Sequence, residues 1–464
     1  MKQYQYSIII LLFLIACFSC KKDFLETKLT SQIATETYIT NLATTQELLN
    51  GVYLKLGMNF YNAKFASYAD IIADNIKCPN GIYTSQYAWN QVPDEGSSSD
   101  NSNDYWMKGY NIIIDCNYVI MYADRFKAQD PTKADNIKGQ AMSIRGLVHH
   151  SLVNVFAQPY HFTADASHPG IPYVTNTGPQ AEKRETVAKV YENIISDMTE
   201  GMLLMSNSDD RSKITSAGVK ALLSRIYLYK GDYANSRQLA TEVIKIVPMM
   251  NAPEYPAKLF TPEDKESIFW LSPLINSIGS TDWQGLYFTY GIFTATKDVA
   301  DLLNERPNDL RKAWVTASSG SWNITKYPQN VVPGISDPLI AYRQCIIRSS
   351  ELYLNAAECY AKTGMEDSSR YYLNAIRQRA DNTVPPVVTT GDALMNDIYK
   401  ERRKELCFEG NRMFDLLRTG KGVNREDFDS PAPSSLPYPS NKSIAPIPLT
   451  DVKIYGIPQN PGYH

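Results

Sequence analysis

The chain has 464 residues, 44% hydrophobic and 20% charged, enough to bury a large core as one unit or two smaller ones and too apolar for a disordered chain. With 46 Lys and Arg against 49 Asp and Glu, its net charge is −3 and no basic stripe appears, which argues against nucleic acid as a partner. Tyrosine is abundant at 31 residues beside 6 tryptophans; such rings fill helix interfaces and also suit ligands that need a flat apolar face with a hydrogen-bonding edge.

Residues 1–16 read as an export signal, with Lys2 ahead of an apolar run and small residues before a cysteine. The run is too short to span a bilayer. Leu14-Ile15-Ala16-Cys17 has the form of a lipobox, so Cys17 is the expected site of lipid attachment and Cys20 its rival. On that reading the mature protein hangs from one leaflet by acyl chains. The C-x-x-C spacing of the pair fits a redox or metal site less well than processing, given its place at the end of a signal. Residues 17–40 form the anchor and a polar tether. The other cysteines, Cys78, Cys116, Cys345, Cys359 and Cys407, show no spacing of a disulfide framework.

Hydrophobic periodicity predicts helices over 45–57, 105–126, 133–156 and 186–205, with an insertion, 58–104, between the first two. Residues 214–248 then read as helix, tight turn and helix. Ser224 and Ser236 supply small residues where the helices approach, Tyr227 fills between them, Gly231 makes the turn and Pro248 stops the pair. The same spacing recurs over 350–380, where Tyr360 and Gly364 echo Tyr227 and Gly231, and Ala357 and Ser369 are the small residues. The expected fold is mainly α: a tetratricopeptide-like scaffold of four helix pairs with a loop-rich insertion region containing a few short strands. Two regions follow, 41–250 and 251–464. The second holds an insertion over 249–344 rich in Pro, Gly, Ser and Trp, with a strand at 267–271, and then the last repeat. A charged helix over 398–418 carries the row Glu401, Glu405 and Glu409, whose repulsion Arg402, Arg412 and Arg418 are placed to offset. The proline-rich tail from 429 should lie extended over the helices.

These residues together resemble the SusD/RagB family of outer-membrane nutrient-binding lipoproteins. The resemblance rests on the lipobox followed by Asp23-Phe24-Leu25-Glu26, on IKGQAMSIRGLVHHSLVNVFAQPY, Gly170-Ile171-Pro172 and KALLSRIYLYKGDYANSRQLA. It continues through RSSELYLNAAECYAKTG, NAIRQRA, ERRKELCFEGNRMFDLLRTGK and the terminal IAPIPLTDVKIYGIPQNPGY. It implies a four-repeat helical scaffold with an irregular binding region, capture of a glycan or another nutrient at the cell surface, and partnership with a SusC-like TonB-dependent transporter.

Four histidines cluster at His149, His150, His161 and His168, but adjacent helical residues diverge by about 100°, so no metal site is expected there. Asp100, Asn101, Asn103 and Asp104 have calcium-like intervals without the EF-hand glycine and read as a solvated loop. No G-x-S-x-G, G-x-G-x-x-G or P-loop is present, no carboxylate pair stands out for glycoside hydrolysis, and no cofactor is called for. Loop aromatics are more informative: Tyr83, Tyr87 and Trp89 in the first insertion, and Trp283, Tyr287, Tyr290, Trp314 and Trp322 in the second. A solenoid tends to present its insertions on one face, so the two should converge into one shallow platform. Trp89, Trp283 and Trp322 would stack on sugar rings, Tyr83 and Tyr287 would add faces and hydroxyls, and Asn90, Asp282 and Gln284 would take polar edges. The expected protein is a non-catalytic glycan binder; the rivals are a glycosidase or lyase on a helical scaffold and a binder of a non-glycan nutrient such as peptide.

Overall fold

The structure is a computed structural model, and it describes residues 38–61, 63–78, 83–94, 102–178, 183–271, 291–327, 343–429 and 432–463. Asn41 opens the first helix, α1 (Leu42–Lys55), with a capping box. Its carboxamide oxygen accepts from the Ala43 and Thr44 amides, and Thr44 Oγ1 accepts from the Asn41 amide. α1 packs on α2 (Asn103–Arg125), α2 on α3 (Pro131–Phe156), and α3 on α4 (Val187–Leu204). The first two predicted pairs therefore form, each helix burying its apolar stripe.

The tetratricopeptide signature appears twice with the same hydrogen bonds. In the pair α5 (Ser216–Lys230) and α6 (Tyr233–Ile244), Ser236 Oγ donates to the Ser224 carbonyl at 2.8 Å. The glycine between them, Gly231, sits at φ 79°, and the next amide, Asp232, returns to the Tyr227 carbonyl. That six-to-one bond closes a helix through a left-handed residue, a conformation that glycine adopts without steric cost. In the pair α8 (Ser349–Lys362) and α9 (Glu366–Ala380), Ser369 Oγ donates to Ala357, Gly364 has φ 77°, and Met365 returns to Tyr360. α6 also packs on α8, joining the two repeats.

The predicted helix over 398–418 is two helices, α10 (Gly391–Leu406) and α11 (Arg412–Arg418). Phe408 at φ 65° and Gly410 at φ 72° break the run, and Glu409 lies in the turn between them. The acidic row is neutralised, but not by the arginines expected from sequence. Arg402 and Arg418 pair with Asp415, Arg418 also with Glu358, and Arg412 with Asp74. Instead five cations, Arg311, Arg348, Arg379, Lys326 and Lys404, meet five carboxylates, Glu266, Glu405, Glu409, Glu401 and Asp309, in one buried lattice. Long-range partners from strands, turns and α9 displaced the local i,i+4 offsets, because a buried carboxylate needs charge on every side and one helix supplies it on only one.

The strand expected at 267–271 is present as β2 (Ser267–Leu271), antiparallel to β6 (Gln344–Arg348). After a single 3-10 turn, Asn441–Ser443, the tail is extended and buried through 444–448, where the Ala445 amide donates to the Val155 carbonyl, before a short helix, Leu449–Tyr455. From Asn41 onward the described residues form one compact unit, with a principal apolar core that runs from Leu42 to Ile457 and a smaller cluster beneath α8, α9 and α10.

Candidate functional site

The two insertions meet in a four-stranded antiparallel sheet, whose order is β1 (Ile76–Lys77), β3 (Thr294–Ala295), β5 (Ser321–Ile324), β4 (Val315–Ser318). Ile76 pairs with Ala295, and Ala295 pairs in turn with Trp322, so residues from both insertions share one ladder. The β4–β5 hairpin turns on Ser319 and Gly320, with φ 48° and 83°. Positive φ at both central positions matches the right-handed twist of a two-residue hairpin. Val315 is buried, whereas residues 316–320 stand exposed.

The expected ligand-binding residues divide into three groups. Trp322 is half-buried in the centre of the sheet, opposite Ala295 and Ala317, and packs in part against the principal core. Asn90 is exposed, held by its amide bond to the Ser85 carbonyl at 3.0 Å. Asp282, Trp283 and Tyr287, with Gln284 and Tyr290, lie outside the described residues, in the segment between β2 and β3.

Trp89 and Tyr83 correct the expectation of exposed stacking faces. Trp89 is 5% exposed, its indole N–H donates to the Ile72 carbonyl at 2.9 Å, and the Arg425 guanidinium lies 4.1 Å from its ring centre. Tyr83 is 9% exposed, with its ring 5.8 Å from that of Phe293, next to β3. Both have left-handed backbones, φ 60° for Tyr83 and 55° for Trp89, which costs an L-residue roughly 1 kcal/mol that the surrounding contacts must offset. Trp314 is likewise core, between Tyr255 and the Lys326 ammonium. All three rings belong to the principal core.

Arg425 is the support that sequence reading missed. Its guanidinium is sandwiched between Tyr87 at 3.9 Å and Trp89, and donates to the carbonyls of Ala73, Tyr87 and Ile71. Burial lowers it to about 10, so it stays charged at neutral pH. An arginine between Asn424 and Glu426 in the acidic run NREDFD carries no local signal of a ring partner some 340 residues earlier in the chain.

The histidines are spent on local structure. His149 Nδ1 lies 2.9 Å from the Arg145 carbonyl, and its Nε2 accepts from the Val174 amide at 3.1 Å. That pattern fixes the neutral ring, as burial requires, and its pKa falls to about 3. His150 is also buried and shifted to about 3, while His168 bridges Thr163 and the Gln158 carbonyl. Of the calcium-like run, Asp100 and Asn101 lie outside the described residues, Asn103 opens α2, and Asp104 faces Lys108.

A tetratricopeptide-like scaffold that gathers aromatic insertions into a small sheet defines the class: a helical-repeat binding protein. Comparison with known proteins gives the family. The family model described as "Starch-binding associating with outer membrane" matches residues 23–228, and the "SusD family" model matches 300–463. The chain belongs to the SusD/RagB family. It is 21% identical to SusD-like protein P25 of Formosa agariphila, over 89% of this chain and 90% of that protein. A SusD superfamily protein from Bacteroides thetaiotaomicron has 27% identity and a TM-score of 0.82, covering 91% of this chain and 100% of its own. A laminarin-binding SusD-like protein, 21% identical, shares the fold with a TM-score of 0.68 over 91% of this chain and 100% of its own.

Proposed function

We propose that the protein is a cell-surface lipoprotein that binds a glycan without catalysis and delivers it to a SusC-like TonB-dependent transporter in the outer membrane. The observation that carries this reading is the shared sheet, which sets the half-buried Trp322 among exposed hairpin residues where both insertions converge. A sugar presents C–H faces that pack on a ring and hydroxyls that pair with amides and carboxylates; Trp322 and Asn90 supply the two kinds of partner. Trp283, Tyr287 and Asp282, from the segment entering β3, complete the proposed set, with Tyr83 and Trp89 as its buried supports. The starch-binding description of the matched family and the laminarin-binding relative support a saccharide over a peptide.

Among the described residues no helix is long and apolar enough to cross a membrane, and acylation of Cys17, with Cys20 as the rival, would supply the anchor. Calorimetry of the mature protein against starch, laminarin and other polysaccharides tests binding. Trp322→Ala should weaken it roughly 5- to 100-fold, the loss expected of one stacking ring, with the fold unchanged. Equal binding by the variant would remove the platform from the reading, and sustained release of new reducing ends would replace binding with catalysis. Gentle detergent extraction should recover the protein with a TonB-dependent barrel.

A further inference from the structure

Beside the sheet, a cavity of about 260 Å³ opens between α7 (Lys297–Asn304), α10, α11 and the turn after α11. Its wall carries six cations, Lys400, Arg402, Arg403, Arg412, Arg418 and Lys421, and one carboxylate, Asp415. Asp415 takes the Nε–H groups of both Arg402 and Arg418, and Glu358 accepts both terminal nitrogens of Arg418, so these guanidinium groups are fixed before anything enters. Asp74, Asp298 and Glu305 hold Arg412, Arg403 and Lys400 without themselves lining the cavity.

Two of the six cations keep donors to spare. Lys421 is exposed, its ammonium 5.0 Å from the Tyr399 ring centre, and among the described residues it has no ion-pair partner. Arg402 is 2% exposed, and its Nη2 has no hydrogen-bond acceptor; the nearest carboxylate oxygen, on Glu351, is 3.8 Å away. A concave wall of pre-oriented cations focuses positive potential and spends little entropy in gripping an anion. The volume is at the small end of ligand pockets, suited to one acidic group on one sugar ring and not to a chain.

The cavity is also tied to the proposed platform. Arg403 donates to Asn75 Oδ1 at 2.8 Å and to Asp298 at 2.7 Å. Asn75 immediately precedes β1, and Asp298 lies in the first turn of α7, directly after β3. We propose that this cavity is an anion subsite for the carboxylate or sulfate ester of an acidic sugar, with Lys421 as its gatekeeping cation and Arg402 and Arg418 as its fixed wall. The proposal rests on the glycan-binding reading and narrows it to acidic saccharides.

The test is calorimetry on the full mature protein at low ionic strength, with inorganic sulfate, trigalacturonate, a sulfated disaccharide and maltotriose as probes. The two exposed lysines permit substitutions that leave the buried arginine pairs intact, and circular dichroism checks the fold of Lys421→Glu and Lys400→Glu. One or both acidic sugars should bind at least tenfold tighter than maltotriose, the preference should fade with added salt, and Lys421→Glu should abolish it. Preference for trigalacturonate alone assigns a carboxylate, and for the sulfated sugar alone a sulfate ester. Equal binding of acidic and neutral sugars, or a preference that survives both substitutions, overturns the subsite. Neutral binding that is lost only in Trp322→Ala would then leave the glycan reading standing. Sulfate binding with no sugar bound would overturn the saccharide assignment, and with it the glycan reading for these probes.

Discussion

Glu405→Gln removes one charge from the buried lattice while keeping the side-chain shape. Glu405 Oε1 accepts from Arg348 at 2.8 Å and Arg379 at 2.6 Å, and Oε2 accepts from Arg311 at 3.1 Å and the Tyr255 hydroxyl at 3.0 Å. Burial alone would raise its pKa, but Arg379, Arg348, Arg311 and Lys326 hold it well below the usual carboxylate range. The amide of glutamine can satisfy one pair of donors with its oxygen, and it then turns N–H groups toward the other pair. Five cations face four carboxylates. Removing one partner of a buried ion pair costs roughly 3–5 kcal/mol, a large share of the roughly 5–15 kcal/mol that holds a domain folded. Urea unfolding followed by tyrosine and tryptophan fluorescence should show that loss as a lower midpoint. Adding Arg379→Gln restores the balance at four against four and should recover part of the loss. A single-variant loss below about 1 kcal/mol would show that the lattice is hydrated and that its charges do not depend on one another.

Gly231→Val forces a β-branched residue to φ 79° and puts a Cβ 2.6 Å from His161 Nε2, so a loss of at least about 1 kcal/mol is expected; an unchanged melting temperature would mean the turn relaxes freely. Stability should also fall with pH in two windows. His149 and His150 are neutral in the fold down to about 3 but protonate in the unfolded chain below the ordinary 6.5, so each withdraws roughly 1.4 kcal/mol per pH unit below 6.5 until about 3. Asp74 and Asp309, which Arg412 and Arg311 hold at about 2 despite burial, contribute fully above the unfolded value of 3.8 and lose about 2 kcal/mol each as pH falls to 2. A melting temperature that is flat between pH 7 and 4 would contradict the histidine assignment. Trp89→Ala should unfold or strongly destabilise the protein, by roughly 3–5 kcal/mol in urea; a stable variant that has only lost ligand would return Trp89 to the binding face.

The repeats were legible because their physics is local. A small residue at each crossing and a glycine at the turn are demanded within a few residues, and Ser236 and Ser369, like Gly231 and Gly364, do the same work in both copies. Helix ends were off by a few residues, as at α1, where the polar Asn41 cap lies ahead of the apolar stripe. The charged helix was misread because Phe408 gives no hint of a left-handed conformation and because the three arginines that pair with Glu405, Arg311, Arg348 and Arg379, lie in other segments. The site was half legible. Composition placed rings in both insertions, and the shared sheet unites those insertions. Which ring is covered depends on what arrives from far along the chain: Arg425 closes over Trp89, which is buried, while Trp322 stays half-buried.

That distant traffic would give the proposed platform its stiffness. Residues 70–75, which lead into β1 within the first insertion, receive bonds from the C-terminal part of the chain at nearly every step. The Gly410 amide donates to Asp70, Arg425 to the Ile71 and Ala73 carbonyls, Arg412 to Asp74, and Arg403 to Asn75. Between them these arginine forks fix backbone, through Arg425, side chain, through Arg412, and both, through Arg403. A loop left free would have to be ordered by the ligand, at about 0.5–1.5 kcal/mol for each side chain immobilised. Here that ordering is complete when the chain folds, so weak contacts such as ring stacking and amide hydrogen bonds can appear as affinity. The same forks reach the cationic cavity through Arg403 and Arg412, and a shift of β1 on binding would therefore be felt by its wall.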